Sequence, residues 1–491
     1  MALPFVIGLD LGTTNCKAAA LDSEGRILGA AEVAYTLYSS HPGWVEQDPD
    51  AVWKGVLAAL KDLSSKVTLA DASGISLSGA MQSLLLVNVK GEPLAPAMTW
   101  ADRRAESQAQ ELRQLSDSHS IYQRTGCPLV TYYLPARIRW WLQNSPDIVK
   151  KSAYFAAIKD WIFYKLTGAW ITDVSLASST GLFDILKLDW DEQALAIAGI
   201  KRHRLPDLAP SFQKAGEVST QASSLTCLPE KMPVAAGASD GILANIGSGA
   251  YAPGHVIITV GTSGAIRHVF DKPWVDEQER TWCYVERPGI WVSGGAINNG
   301  GLALEWVRKH FYPDFVEEAG YLQLLKDAAS VPAGAADIYF LPYFTGERSP
   351  YWSATARGLI YGLSLEHTRA HIARAALEGV AFCLADVWDA LKNSGTMDPP
   401  ARLTGGITRD AIWSQITADV LGIPLAAVDA SDASVLGAAM VGLETLEGIK
   451  IETLAGKVPI DKTYSPNLDQ HKEYTRRHQK YQELYRRIEG F

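Results

Sequence analysis

Cysteine is scarce and scattered in this 491-residue chain: Cys16, Cys127, Cys227, Cys283 and Cys383 are far apart and never form a Cys-x-x-Cys pair. The spacing fits neither a disulfide framework nor a zinc site, and a reducing compartment is the simplest expectation. Also missing is any run of about 18 apolar residues, the length that spans a bilayer. The start, Met1-Ala2-Leu3-Pro4, has no basic region and no cleavage-like site, so a cytoplasmic protein away from membranes is expected. Positive charge is in deficit, with a formal net charge of −9. Nucleic-acid binders carry a basic face or tract. The most basic stretches here are Lys201-Arg202-His203-Arg204 and a tail around Arg476–Arg487 that alternates with Glu and Tyr. The tail reads as a solvated helix, and no nucleic-acid partner is expected.

What is present is an ordinary folded composition, 47% hydrophobic and 20% charged. Single cores stop growing at roughly 250–300 residues, so two domains are expected. The chain opens with an apolar strand, Phe5–Asp10, a Gly12-Thr13-Thr14-Asn15 turn and a returning strand, Lys17–Leu21. A third strand follows over Ile27–Tyr35, then a helix started by Asp48-Pro49-Asp50, with Val52, Val56, Leu57 and Leu60 on one face. Much later His255–Val260, Gly261-Thr262-Ser263-Gly264 and Ala265–Val269 repeat the strand–turn–strand unit. Two such openings point to a duplicated architecture with a cleft between halves, divided near residues 247–254. The expected domains are residues 1–249 and 250–491.

The turns carry chemistry. In Asp10-Leu11-Gly12-Thr13-Thr14, glycine lets the backbone approach an oxyanion, and turn N–H groups face the concavity. Threonine hydroxyls donate to phosphate oxygens, Lys17 adds a point charge, and Asp10 is a candidate ligand for hydrated Mg²⁺. With the second hairpin at Gly261-Thr262, nucleotide phosphate binding is a better reading than a plain polar turn. Leu403-Thr404-Gly405-Gly406 ends another apolar strand before a helix over Ile412–Leu421. Adjacent glycines there suit a ribose or flat ring against the backbone, although a plain strand-to-helix turn looks similar.

Together these elements resemble the FGGY family of carbohydrate kinases. Gly358-Leu359-Ile360-Tyr361-Gly362-Leu363, followed by His371-Ile372-Ala373-Arg374-Ala375-Ala376-Leu377-Glu378, is similar to one family signature. Arg137-Ile138-Arg139-Trp140-Trp141-Leu142-Gln143-Asn144 is similar to the other, with Arg137 where Lys is usual and Leu134 where a small residue or proline is usual. The resemblance implies an α/β, two-domain actin-like ATPase (ribonuclease H-like) fold with duplicated βββαβα cores and a central cleft. It implies ATP and Mg²⁺ as cofactors and a small sugar as the molecule acted on; a homodimer stays open.

By the same resemblance Asp240, in Gly237-Ala238-Ser239-Asp240-Gly241, is the catalytic base and a second metal candidate beside Asp10. On its residues alone it could as well cap the helix that starts near Ile242. Thr13, Thr14 and Lys17 would face the terminal phosphates, Gly261 and Thr262 the nucleotide from the other lobe, and Gly405, Gly406 and Asp410 its nucleoside end. Met81, Gln82, Trp100 and Asn298 would meet the sugar, with Arg103, Arg104 and Asn298 as partners for a sugar carboxylate. Several strings, among them Ser78–Met81, Thr99–Arg104 and Gly261–Arg267, resemble gluconokinases most, with D-xylulose the alternative substrate. Gln82 stands where histidine is usual. A non-catalytic actin-like nucleotide binder is the competing class, and the presence of Asp240 argues against it.

Overall fold

Phe5–Leu11 (β1) is buried at every position, as a central strand with both faces covered must be. The computed structural model describes residues 3–489. β1 pairs antiparallel with Asn15–Asp22 (β2), which pairs with Ile27–Ala34 (β3). On its other side β1 runs parallel to Ile75–Gly79 (β4), and β4 runs parallel to Pro233–Ser239, so that with Lys214–Glu217 (β5) and Pro233–Ser239 (β6) the sheet order is β5-β6-β4-β1-β2-β3. The helix Pro49–Ser64 (α1) covers one face. Its cap is Asp48, whose side chain accepts the Asp50 N–H at 3.0 Å, and Val52, Val56, Leu60 and Leu63 are buried beneath it.

The second half repeats the plan. Val256–Val260 (β7) pairs antiparallel with Gly264–Phe270 (β8), and Trp282–Arg287 (β9) and Ile290–Ile297 (β10) extend that edge. Beyond β7 lie Ala401–Thr404 (β11), Leu425–Ala427 (β12) and Lys462–Tyr464 (β13), giving the order β9-β10-β8-β7-β11-β12-β13. The two cores match as β3-β2-β1-β4-β6 and β10-β8-β7-β11-β12. This is the duplicated actin-like arrangement, with antiparallel β5 and β13 at corresponding edges and β9 added at the other edge of the second sheet.

Two helices knit the halves. Asp240–Gly247 (α3) leaves the end of β6, and Ala433–Glu447 (α7) comes from the second half of the chain yet packs on β1 and β4. A Cβ on Gly437 of α7 would sit 2.0 Å from the Leu243 carbonyl of α3, and one on Gly247 would sit 2.0 Å from the Ala433 carbonyl. Only glycine permits so close a crossing. The crossing sets Ser434 of α7 against Asp10 at the end of β1.

Between α4 (Gly301–Phe311) and α6 (Ala411–Leu421) runs the long helix Arg369–Leu391 (α5), buried along most of its length. The C-terminal helix Leu468–Ile488 (α8) corrects the expectation of a solvated tail. Its Lys and Arg residues do face outward at several positions, but Tyr474, His478, Tyr481 and Tyr485 recur at helical spacing and are buried. Tyr474 donates to Glu378 of α5 at 2.8 Å, and Tyr481 donates to Tyr343 at 2.9 Å. The aromatic stripe, masked in sequence by the basic residues between, makes this helix part of the second core. No helix among the described residues is long and apolar enough to cross a membrane.

Candidate active site

The first turn, Gly12–Thr14, is held by its carbonyls. Tyr35 Oη donates to the Gly12 carbonyl at 2.6 Å and to that of Asn15 at 2.7 Å. Gln47 Nε2 donates to the carbonyls of Gly12 and Thr13 at 3.1 and 2.7 Å, and the Tyr35 N–H takes the Thr14 carbonyl at 2.9 Å. The second turn, Gly261–Ser263, is held the same way by backbone alone. The N–H groups of Gly300 and Leu302 meet the Thr262 carbonyl at 3.0 and 3.2 Å, and that of Gly301 meets the Gly261 carbonyl at 2.7 Å. Carbonyl oxygens repel phosphate oxygens, so tying them back leaves a turn that presents donors.

Carboxylates gather at the C-terminal ends of β1 and β6. Asp10 is buried and accepts from Ser434 Oγ at 2.7 Å and from Ser78 Oγ. Burial raises its carboxyl above the usual range, against the pull of those hydroxyls and of Lys17. Asp240 opens α3. Ser239 occupies the cap position, so Asp240 does not cap that helix in the ordinary way; its Oδ1 accepts the neighbouring Gly241 N–H at 2.7 Å. Burial, then the negative charge of Asp10, pushes Asp240 up to about 6, and Arg267 and two backbone N–H groups oppose the rise. Two carboxylates this close are relieved by a cation. No group of three or more His, Cys, Asp or Glu side chains fit to hold a metal occurs among the described residues. The donor set fits Mg²⁺, which takes one or two protein carboxylates and keeps waters or phosphate oxygens for the rest.

Two of Asp240's neighbours, Met81 and Arg267, line a cavity of about 100 Å³ walled from the first half by Met81, Gln82, Trp100, Tyr132 and Tyr133. Ala265, Arg267, Trp282, Tyr284, Ala296, Arg348 and Trp352 close it from the second. The next residue, Gly241, touches both sides: a Cβ there would lie 2.3 Å from Met81 Cε and 3.7 Å from Arg267 Nε. Gln82 Nε2 donates to Tyr284 Oη at 3.1 Å, and Tyr284 shares a 2.8 Å hydroxyl contact with Tyr133. Arg348 lies 5.4 Å from the Trp100 ring centroid, and its Nη2 donates to the Ile297 carbonyl at 2.9 Å. The Nε atoms of Arg267 and Arg348 are buried without partners. The result is an aromatic-walled, hydroxyl-rich cup lined by two arginines, with Asp240 next to two of its lining residues.

The structure brings Met81, Gln82 and Trp100 together in this cup with Asp240 beside Met81, Thr13 and Thr14 onto one turn, and Gly261 and Thr262 onto the other. Gly405 and Gly406 follow β11, which pairs with β7 beside the second turn. Gly405 has φ +90° there, and a Cβ would lie 2.5 Å from the Val260 carbonyl. Asp410 caps α6 by accepting the Ile412 N–H at 3.1 Å, while its Oδ2 is buried without a partner. Lys17 points elsewhere: its ammonium pairs with Asp432 at 2.8 Å and donates to the Ser431 carbonyl. Asn298 lies outside the cup, in the smaller neighbouring pocket that Arg103 and Glu347 line, with its Nδ2 on the Thr345 carbonyl at 3.2 Å.

Arg104 does not line the cup. Its buried guanidinium bonds Asp102 and Glu46 and lies 3.5 Å from the Trp44 centroid, with Nη1 left unpartnered. Arg103 spans to the Thr345 carbonyl at 2.7 Å. The cations that do line the cup are Arg267, at the end of the string Gly261–Arg267, and Arg348, neither of them singled out in the sequence. Their signal was an arginine in an otherwise apolar strand and one beside a buried acid, which is faint without the fold.

The sequence matches the N-terminal domain of the FGGY family of carbohydrate kinases over residues 5–247 and the C-terminal domain of that family over residues 256–445. A gluconokinase of Bacillus licheniformis is 34% identical over 480 residues, spanning 96% of this chain and 93% of the relative. Among solved structures, a gluconate kinase from Lactobacillus acidophilus superposes with a TM-score of 0.93 at 29% identity, covering 100% of this chain and 99% of the other. A ligand-bound xylulose kinase from the same organism also reaches 0.93 at 29% identity, with 99% of each chain covered.

Proposed function

This chain belongs to the FGGY family of carbohydrate kinases, and from that premise we propose that it transfers the γ-phosphoryl group of ATP to a hydroxyl of gluconate. The observation that carries the substrate is the cup at Asp240, where Arg267 and Arg348 stand among tyrosines and Gln82. Two half-buried arginines with buried, unpartnered Nε atoms favour an anionic ligand. The tyrosines and Gln82 suit the hydroxyls of a polyol chain, and Trp100, 37% exposed, offers a plate to its C–H face.

In this mechanism the acceptor lies in the cup walled by both halves, the phosphates lie between the two turns, and residues 250–491 border the nucleoside. Asp240 accepts the proton of the attacking hydroxyl as the oxygen forms its bond to the γ-phosphorus and the bond to the ADP oxygen breaks. The value of about 6 leaves Asp240 ionised at neutral pH and still a competent base. Turn N–H groups and hydroxyls at Thr13, Thr14 and Thr262 position the phosphates, and Gly405, Gly406 and Asp410 border the nucleoside. Asp10 and Asp240 would hold Mg²⁺, which supplies charge neutralisation on the phosphate oxygens. Phosphoryl transfer asks chiefly for such positioning and neutralisation. Lys17 acts at one remove, by fixing the Ser431–Ser434 segment that presents a hydroxyl to Asp10.

D-xylulose is the second reading, favoured by the xylulose kinase likeness. It would leave the unpartnered Nε atoms of Arg267 and Arg348 without an anionic ligand. An ATP-consumption panel over gluconate, xylulose, ribulose and glycerol decides, run on the native chain and on Arg348→Met. Gluconate should give the highest kcat/KM, and the substitution should lower that value by about 10- to 100-fold, the worth of one charge-assisted hydrogen bond. Xylulose preferred over gluconate, or gluconate turnover indifferent to Arg348→Met, would sink the assignment.

A further inference from the structure

We propose that Arg137 is the positioning residue that shapes the acceptor cup, because its guanidinium ties together the three loops that supply every first-half residue of the cup's wall. The inference rests on taking that cup as the acceptor site.

Arg137 lies in the first turn of Leu134–Asn144 (α2) and is fully buried. Its donors go to backbone carbonyls on three separate segments. Nε donates to Thr131 at 3.0 Å, Nη1 to Gln82, and Nη2 to Trp100 at 3.0 Å and Asp102 at 3.3 Å. Those segments carry Met81 and Gln82, Trp100, and Tyr132 and Tyr133, which together are the first-half wall. No acidic side chain is among its hydrogen-bond partners, so a buried cation is satisfied wholly by carbonyl dipoles. That is a use for the rigid planar fork of arginine that a pivoting ammonium does not match.

Gln82 shows why the fork is needed. Its φ is +55°, a left-handed conformation that a residue with a side chain keeps only where its surroundings impose it. Its carbonyl is taken by Arg137 and its amide by Tyr284 Oη, so Gln82 is clamped from both ends. Releasing the carbonyl end frees the backbone to relax and swings the amide away from the cup. Trp100, partly exposed, loses its anchor at the same stroke. The nucleotide turns are held by Tyr35, Gln47 and the start of α4 and do not depend on Arg137.

The test is a steady-state comparison of the full-length Arg137→Lys and Arg137→Met proteins with the native chain, using whichever polyol the native chain phosphorylates best. The KM for the acceptor should rise about tenfold in Arg137→Lys and further in Arg137→Met, while the KM for ATP stays within about twofold, a split that marks lost acceptor binding. The ratio of kcat/KM between the best and second-best polyol should shrink as well. Arg137→Lys keeps the charge, so it decides the matter if Arg137→Met fails to fold. Parallel rises in both KM values, or an Arg137→Lys protein indistinguishable from native, would overturn the proposal. The acceptor is chosen on the native chain first. A preference for another polyol therefore defeats the gluconate assignment and leaves this inference standing.

Discussion

The two turns solve one problem with different means. In the proposed nucleotide site each must expose donors to a polyanion and hide its own carbonyls. In the first half the work falls to side chains, Tyr35 and Gln47, reaching over from the third strand's end and the segment before α1. In the second half it falls to the first amides of α4, which also bring the positive end of that helix to the turn. The strands leading in differ too. β1 ends at Asp10, buried and paired in register with Lys17, whereas β7 has Thr259 at the matching place, opposite Ala265. Thr259 Oγ1 lies 2.9 Å from Thr404 Oγ1 and accepts from Arg267 Nη1 at 3.3 Å. One half is thus equipped for a cation and a proton, the other for a neutral cradle. Duplicated folds diverge by changing one residue at the strand end while keeping the turn.

The largest way to break that asymmetry is Asp240→Asn, which removes the base while keeping the shape at the end of β6. Turnover should fall by about 10²- to 10⁴-fold, the usual share of a positioned general base. Binding of Mg-ATP, followed by calorimetry, should persist. Normal turnover in this variant would dismiss Asp240 as the base. A pH profile sharpens the same point. As the proposed base Asp240 would work ionised, and burial with the Asp10 charge places it at about 6, so kcat/KM should decline as pH drops through that value. Asp10→Asn removes the neighbouring negative charge and should shift the acidic limb to lower pH. A limb that stays in place would separate the two carboxylates.

Next in size is Gly300→Ala, aimed at the second turn. A Cβ there would lie 2.7 Å from the Ser263 carbonyl and 2.9 Å from that of Gly261. Both are backbone atoms that cannot swing aside, so the turn or the start of α4 must move. The KM for ATP should rise about tenfold while the acceptor KM holds, as expected for lost nucleotide binding alone. An unchanged KM for ATP would show that the second turn is no nucleotide cradle.

The sequence disclosed what is local. Strand, Gly-Thr turn and returning strand lie within about 15 contiguous residues in each half, and propensity, alternation and turn chemistry agree there. The cup was legible only in part, because its wall is drawn from residues 81 to 352 and no window holds two of its sides. Met81, Gln82 and Trp100 came from motif likeness. Arg267 and Arg348 did not, since an arginine's partner is a matter of tertiary distance. Arg104 shows the same blind spot in reverse: nothing near it in sequence reveals that Trp44 and Glu46 will stack on it and pair with it. The tail misled for another reason. Its basic residues outnumber its aromatic ones, yet four aromatics at helical spacing suffice to bury one face.

Tyr35→Phe is the gentlest probe and the most telling about the first turn. The substitution deletes one hydroxyl that serves two carbonyls, at Gly12 and Asn15, without altering the ring that packs beside α1. Gln47 still covers Gly12 and Thr13. The loss is therefore near one hydrogen bond, about 1 kcal/mol, and the KM for ATP should rise by no more than about fivefold, with kcat little changed. Combining Tyr35→Phe with Gln47→Leu removes every side-chain restraint on those carbonyls, and the joint effect should exceed the sum of the two in free energy, since either group alone keeps the Gly12 carbonyl turned back. A strictly additive pair would mean that the first turn holds its shape unaided, and that the side chains tied to it serve packing and not the phosphates.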